Sequence, residues 1–188
     1  MRITRFITVT ALYTAILIAV QFALSWVANI ELVTVFFLAF CYTQGAKAGS
    51  VVAVCFSTLR CFVFGFYPTV LILYLIYYTG FACFFGFLGN RFKKELSVTS
   101  FVWTLATATV FTALFTLIDD VITPLYFGFG ADATIAYFYS SLPFMLTQCI
   151  CAVISISVLF FPLCKAIIIA IPVKNQSGTA VKGKPDKE

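Results

Sequence analysis

Histidine is absent from this chain of 188 residues, and charged residues make up only 10% of it. A soluble domain of this size carries about 25% charged residues. With 62% apolar residues, the surface of such a domain could not be solvated by water. A bilayer could accommodate it, because about 20 apolar residues cross a hydrocarbon core of about 30 Å as a helix. The chain therefore has room for five or six spans and too little polar sequence for a second core.

The missing residue types and motifs also argue against catalysis. Without histidine, the commonest general base is absent, and a zinc site would have only cysteine thiols inside apolar runs. The seven cysteines form no CxxC pair, and buried cysteine behaves as a small hydrophobe. Asp119 and Asp120 lack the third acidic residue of a diphosphate site, and no G-x-S-x-G elbow occurs. We predict no enzyme activity, metal site or cofactor.

One phosphate-binding motif begins but is not completed. Residues 178–184 spell G-x-x-x-x-G-K, but Pro185 follows where a P-loop has Ser or Thr, and no strand is predicted before it. The sequence therefore predicts no ATP-binding site, and energised transport would need a partner. Residues 172–188 are polar and basic, and we expect a disordered cytoplasmic tail after a single transmembrane domain of residues 1–171.

Apolar runs and their interruptions predict an all-α bundle of six transmembrane helices. The predicted segments are 6–28, 32–43, 51–66, 68–90, 97–121 and 141–171. Pro68 suits a first helical turn, Ser97 suits an N-cap, and Pro124 suits a helix end before a loop at 126–139. The stretch 32–66, interrupted by Gly45, Lys47 and Gly49, could be two short helices or one long bent helix.

The distribution of charge favours six spans. Six spans place every Lys and Arg except Arg60, eleven of the twelve, on one side, and Glu31, Asp119, Asp120 and Asp132 on the other. The positive-inside rule then predicts that both termini are cytoplasmic. The apolar run after Arg2 and Arg5, residues 6–24, is longer than the apolar region of a signal peptide, usually about 7–15 residues, so we expect a retained first helix. The basic residues are not gathered on a soluble face, so nucleic acid is not an expected partner.

Alanine recurs every four residues along the first predicted helix, at Ala11, Ala15, Ala19 and Ala23. This spacing returns to nearly the same helix face, and small residues there let a second helix approach closely in lipid. The pattern alone leaves two interpretations open. The face either contacts another protein or packs against the chain's own helices.

The chain combines this alanine-bearing first helix with six short predicted helices, minimal loops and a basic cytoplasmic face. In this combination it resembles the substrate-binding S component of an energy-coupling factor (ECF) transporter. Residues 30–35 (IELVTV) and 60–66 (RCFVFGF) are also similar to members of that group, and the likeness covers residues 5–170. The resemblance implies uptake of a vitamin or related micronutrient across a bacterial plasma membrane. It also implies that Ala11, Ala15 and Ala19 dock on a transmembrane coupling subunit driven by two ATPase subunits.

The predicted outer end of the bundle is acidic and aromatic, which suits a flat heterocycle. The candidate substrate-binding residues are Trp26, Asn29, Glu31, Arg60, Tyr67, Tyr74, Asp119, Asp120, Tyr126 and Gln148. Arg60, the only basic residue in the outer half, would hold an anionic or carbonyl group, or pair with one of the carboxylates. The carboxylates could also mark a solvated rim, and the loop at 126–139 is expected to close over the ligand.

Two other functions remain compatible with the composition. The first is a self-contained, oligomeric small transporter or channel, and the second is an accessory membrane protein. A secondary transporter would more often show an internal repeat and an ionisable site at the midplane, and the sequence shows neither. The ligand is not specified, since a flavin, a thiamine-like ring or the edge of a corrinoid would each suit an aromatic pocket with one arginine.

Overall fold

The computed structural model of the chain describes residues 3–25, 32–92, 94 and 96–171. Those residues form six helices and no strand. The helices are α1 (Ile3–Ala23), α2 (Leu32–Gln44), α3 (Ala46–Phe64), α4 (Pro68–Arg91), α5 (Val98–Phe127) and α6 (Ala131–Ala170). Five helices in this described part are long and apolar enough to cross a membrane, and α2 is shorter. The predicted all-α fold, a multi-pass helical membrane bundle, is confirmed.

Local sequence signals place several helix ends. Pro68 occupies the first turn of α4, and Ser97 precedes α5, where its backbone N–H donates to Ser100 Oγ at 3.2 Å. Gly45 separates α2 from α3 with a φ of 90°, a conformation that glycine adopts without a steric penalty. The stretch 32–66 is therefore two helices. The predicted start of the third segment at residue 51 is wrong, since α3 begins at Ala46 and continues through Lys47 and Gly49.

The predicted loop at 126–139 is also wrong. The helix α5 continues past Pro124 to Phe127, α6 begins at Ala131, and only residues 128–130 connect them. Proline within a helix removes one backbone hydrogen bond but does not have to end the helix. The end comes at Gly128, which is left-handed, and the Phe129 N–H donates to the Pro124 carbonyl at 2.9 Å. The expected closing loop is therefore mostly helical.

Contacts between helix ends show that successive helices alternate in direction. Gln44 Nε2 donates to the Ile171 carbonyl at 3.2 Å, which brings the C-terminal ends of α2 and α6 together. The Phe22 and Phe64 rings lie 6.3 Å apart, so α1 and α3 end on the same side. Ser141 Oγ donates to Asp120 at 2.7 Å and joins the end of α5 to the beginning of α6. The start of α1 and the end of α6 therefore lie at the same end of the bundle.

This alternation separates the charges. One end of the bundle, here called the basic end, carries the described residues Arg5, Lys47, Arg91, Lys94 and Lys165. The opposite end, the acidic end, carries Asp119, Asp120 and Asp132. The separation that the sequence predicts for six spans is thus a property of the folded bundle. The tail at 172–188 lies outside the described residues.

The short helix α2 lies in the middle of the bundle. It packs against α1, α3, α4 and α6, and nine of its 13 residues are buried. At 1.5 Å per residue it is about 20 Å long, shorter than a hydrocarbon core. Close packing of α4 with α2 and with the start of α3 depends on glycine, because a Cβ on Gly89 would overlap the Tyr42 carbonyl and one on Gly86 would overlap the backbone nitrogen of Ala46, the first residue of α3.

Candidate functional site

A cavity of about 340 Å³ lies in the acidic half of the bundle, and residues from all six helices line it. It is called the central cavity below. Its polar lining includes Gln21 from α1, Thr34 from α2, Arg60 from α3, Tyr74 from α4, Thr112 from α5 and Gln148 from α6. The cavity reaches the C-terminal ends of α1 and α3, where Ser25 and Phe64 line it. Arg60, Tyr74 and Gln148 are predicted binding residues that the fold brings together.

Arg60 is held between aromatic rings. Its guanidinium carbon lies 4.4 Å from the centre of the Tyr74 ring and 5.4 Å from that of Phe64. Stacking of this kind is favourable for a guanidinium, and it keeps the positive charge beside the cavity. Among the described residues, however, the buried Nε of Arg60 has no hydrogen-bond partner.

Gln21 approaches the same tyrosine from α1. Its amide Nε2 donates to the Tyr74 hydroxyl at 3.3 Å. Its Oε1 is buried and has no hydrogen-bond partner among the described residues. The sequence analysis missed Gln21, although a single glutamine within the apolar second half of α1 is a signal that could have identified it.

The remaining wall of the central cavity is aromatic. The Tyr77 ring lies 5.1 Å from Tyr78 and 4.9 Å from Phe115, with both pairs close to edge-to-face. Such pairs stabilise one another beyond simple burial and fix the ring positions. The wall combines α4 and α5, whose crossing the sequence alone does not reveal.

A second cavity of about 320 Å³ lies between α5 and α6, and it is called the side cavity below. It shares Phe115 and Gln148 with the central cavity, and Asp119 and Tyr137 also line it. Thr116 Oγ1 donates to Gln148 Oε1 at 3.0 Å. Gln148 is thereby fixed between the two cavities.

The two aspartates of α5 hold the hairpin of α5 and α6 together. Asp119 accepts hydrogen bonds from Thr123 Oγ1 at 2.8 Å and from the Tyr137 hydroxyl at 3.0 Å. Asp120, only 6% exposed, accepts one from Ser141, and its Oδ1 has no partner among the described residues. These contacts go to hydroxyl groups and not to Arg60. Because Asp120 is buried, it is not part of a solvated rim.

The other predicted binding residues lie elsewhere. Tyr67 and Tyr126 are 61% and 53% exposed, and neither is among the residues that line the two cavities. Trp26, Asn29 and Glu31 lie outside the described residues. Of the residues that line the central cavity, Arg60, Tyr74 and Gln148 were predicted from the sequence, whereas Gln21 and Phe115 were identified only in the structure.

The helix α1 has two different faces. Thr10, Tyr13, Thr14 and Leu17 are buried, and Gln21, one turn further on, lines the central cavity. Ala11, Ala15, Ala19 and Ala23 are all exposed on the outside of the bundle. This row of four is called the alanine face below. It does not pack against the chain's own described helices, so the second interpretation of the alanine pattern does not apply.

Comparison of the chain with protein-family models, with curated proteins and with solved structures found no match.

Proposed function

We propose that this chain is the substrate-binding S component of an ECF-type transporter and takes up a vitamin or related micronutrient. The acidic end faces the outside of a bacterial plasma membrane, and the basic end faces the cytosol, as the positive-inside rule requires. The ligand binds in the central cavity. Energy comes from two separate ATPase subunits through a transmembrane coupling subunit that contacts the alanine face.

The observation that carries this proposal is the division of α1 into two faces. One face supplies Gln21 to the central cavity, and the other presents four alanines outward. Small residues in a lipid-facing row allow close contact with a partner helix. A partner that moves α1 would therefore act directly on the cavity wall, which is the coupling that ligand transport needs.

Co-purification of the full chain from its native membranes tests the proposal. The tagged chain, extracted in mild detergent, should recover a second membrane subunit and two ATPase subunits. Ala15→Leu adds bulk in the middle of the alanine face and should reduce that recovery at least about tenfold, because helix backbones in lipid associate through close packing. Ala106→Leu is the matched control, since Ala106 is also exposed but lies on α5.

The alternative outcomes separate the candidate functions. Recovery of a homo-oligomer without ATPases would reject the S component and favour a self-contained transporter or channel that uses the alanine face for self-association. Equal loss of partners in both variants would show that the alanine face is not the docking surface. Retained partners in Ala15→Leu would show the same.

A further inference from the structure

The central cavity carries a positive charge. Arg60 is the one charged side chain among the described residues that line it, and the other polar groups there are amides and hydroxyls. A charge inside a helix bundle is costly unless it is paired. Because Arg60 Nε has no partner among the described residues, a ligand that brings a negative charge would supply one, whereas a cationic ligand would add repulsion.

Two polar atoms beside the cavity have no partner among the described residues, and they differ in kind. Within that part of the chain, Arg60 Nε is a donor without an acceptor, and Gln21 Oε1 is an acceptor without a donor. Both side chains meet at Tyr74, Arg60 on its ring and Gln21 at its hydroxyl. Because an unmade buried hydrogen bond is unfavourable, each side chain gains if it turns toward a complementary group in the cavity. The ligand that fits best therefore has one acceptor and one donor.

The size and walls of the cavity restrict the ligand further. About 340 Å³ is near the lower limit for small-molecule sites, which range from about 300 to 1,000 Å³. Phe115 and Tyr77 provide aromatic surface on which a flat ring can pack. One ring or two fused rings would fill this space.

From these observations we infer that the ligand is a small aromatic or heteroaromatic carboxylate that also carries an N–H or O–H donor. Its carboxylate binds Arg60, its donor binds Gln21, and its ring packs on the aromatic wall. This inference rests on the proposed function in taking the central cavity as the substrate site, and it narrows the substrate from any micronutrient to an aromatic anion.

A set of four similar probes tests the ligand class on the isolated full chain in lipid nanodiscs at pH 7. The probes are 4-aminobenzoate, benzoate, 4-aminobenzamide and 4-aminobenzamidine, and titration calorimetry measures the affinity of each. 4-Aminobenzoate should bind about ten- to a hundredfold more tightly than the neutral amide, because only the carboxylate makes charge-assisted hydrogen bonds. Benzoate, which lacks the donor, should bind about three- to tenfold more weakly, and the amidine most weakly.

Variants then assign each preference to its residue. In Arg60→Gln the affinities for 4-aminobenzoate and 4-aminobenzamide should differ by no more than about threefold, because the charge-assisted hydrogen bond is lost. Continued binding of the amide would show that the cavity is intact. Gln21→Met should remove the preference for 4-aminobenzoate over benzoate and retain the preference for acid over amide. Arg91→Gln is the control, since it makes the same change at an exposed position of the basic end.

The inference is overturned if the amide or the amidine binds as tightly as the acid, if Arg60→Gln keeps the preference for the acid, or if none of the four probes binds at millimolar concentration. These outcomes are independent of partner recovery. If ATPases co-purify but the probes bind in a different order of affinity, the ligand class is rejected and the S-component proposal stands. If the probes bind in the expected order but no partner is recovered, the S-component proposal is rejected and the ligand class stands.

Discussion

Arg60 could be recognised as a candidate from the sequence, whereas its contacts could be seen only in the folded structure. In the sequence it is conspicuous as the only basic residue assigned to the outer half of the bundle. Its environment, with Tyr74 at 4.4 Å and Phe64 at 5.4 Å, depends on how α3 turns back into α4. A lone charge in an apolar segment can be recognised from composition, but the groups that surround it belong to distant positions. Gln21 was missed because a single amide gives a weaker signal than a charge.

Two glycines of α4 differ in what a methyl group would meet. A Cβ on Gly89 would overlap the Tyr42 carbonyl, whereas a Cβ on Gly80 would meet no atom of another described helix within 4 Å. Backbone atoms of a buried helix cannot move aside easily, so Gly89→Ala should lower stability by about 3 kcal/mol, and Gly80→Ala should be neutral or slightly stabilising. Thermal unfolding in one detergent measures both. Equal melting temperatures for the two variants would contradict the close crossing of α2 and α4.

At the scale of whole elements, the sequence predicted helices well and one connection badly. Apolar runs, Pro68, Ser97 and Gly45 mark helix boundaries because each acts on its immediate neighbours. Pro124 was a misleading signal, because it predicted the end of α5, whereas the helix ends at Gly128. Polar contacts between α5 and α6, such as Tyr137 with Asp119, stabilise helix where the local sequence indicated a loop.

The hydrogen bond from Tyr137 to Asp119 is therefore expected to hold the beginning of α6 against α5. Tyr137→Phe keeps the ring and removes a 3.0 Å bond to a carboxylate, a loss of about 1.5–3 kcal/mol. Hydrogen exchange in the backbone of residues 131–141 should become about tenfold faster or more, since local opening becomes easier. Tyr139→Phe is the matched control, because Tyr139 is 67% exposed. Unchanged exchange in Tyr137→Phe would show that packing alone holds the hairpin.

On the scale of the whole molecule, charge and helix direction agree. Helices that alternate in direction place Lys47 at the basic end and Asp132 at the acidic end, although the polar residues near both are few. The sequence could predict this partition because it depends only on the number of spans and on the positions of the breaks. The central cavity could not be predicted in the same way, since six helices contribute to it.

The proposed uptake requires the acidic end to face outward, and substituted cysteines can test this in intact cells. Asp132→Cys and Lys47→Cys both introduce a thiol at an exposed position, and the seven native cysteines make the unaltered chain the necessary control. Because basic residues are retained on the cytoplasmic side, a membrane-impermeant maleimide should add one label to Asp132→Cys and none to Lys47→Cys until the cells are permeabilised. The opposite pattern would turn the central cavity toward the cytosol. A substrate taken up from outside could not then reach Arg60, and the S-component proposal would fail even if ATPases were recovered with the chain.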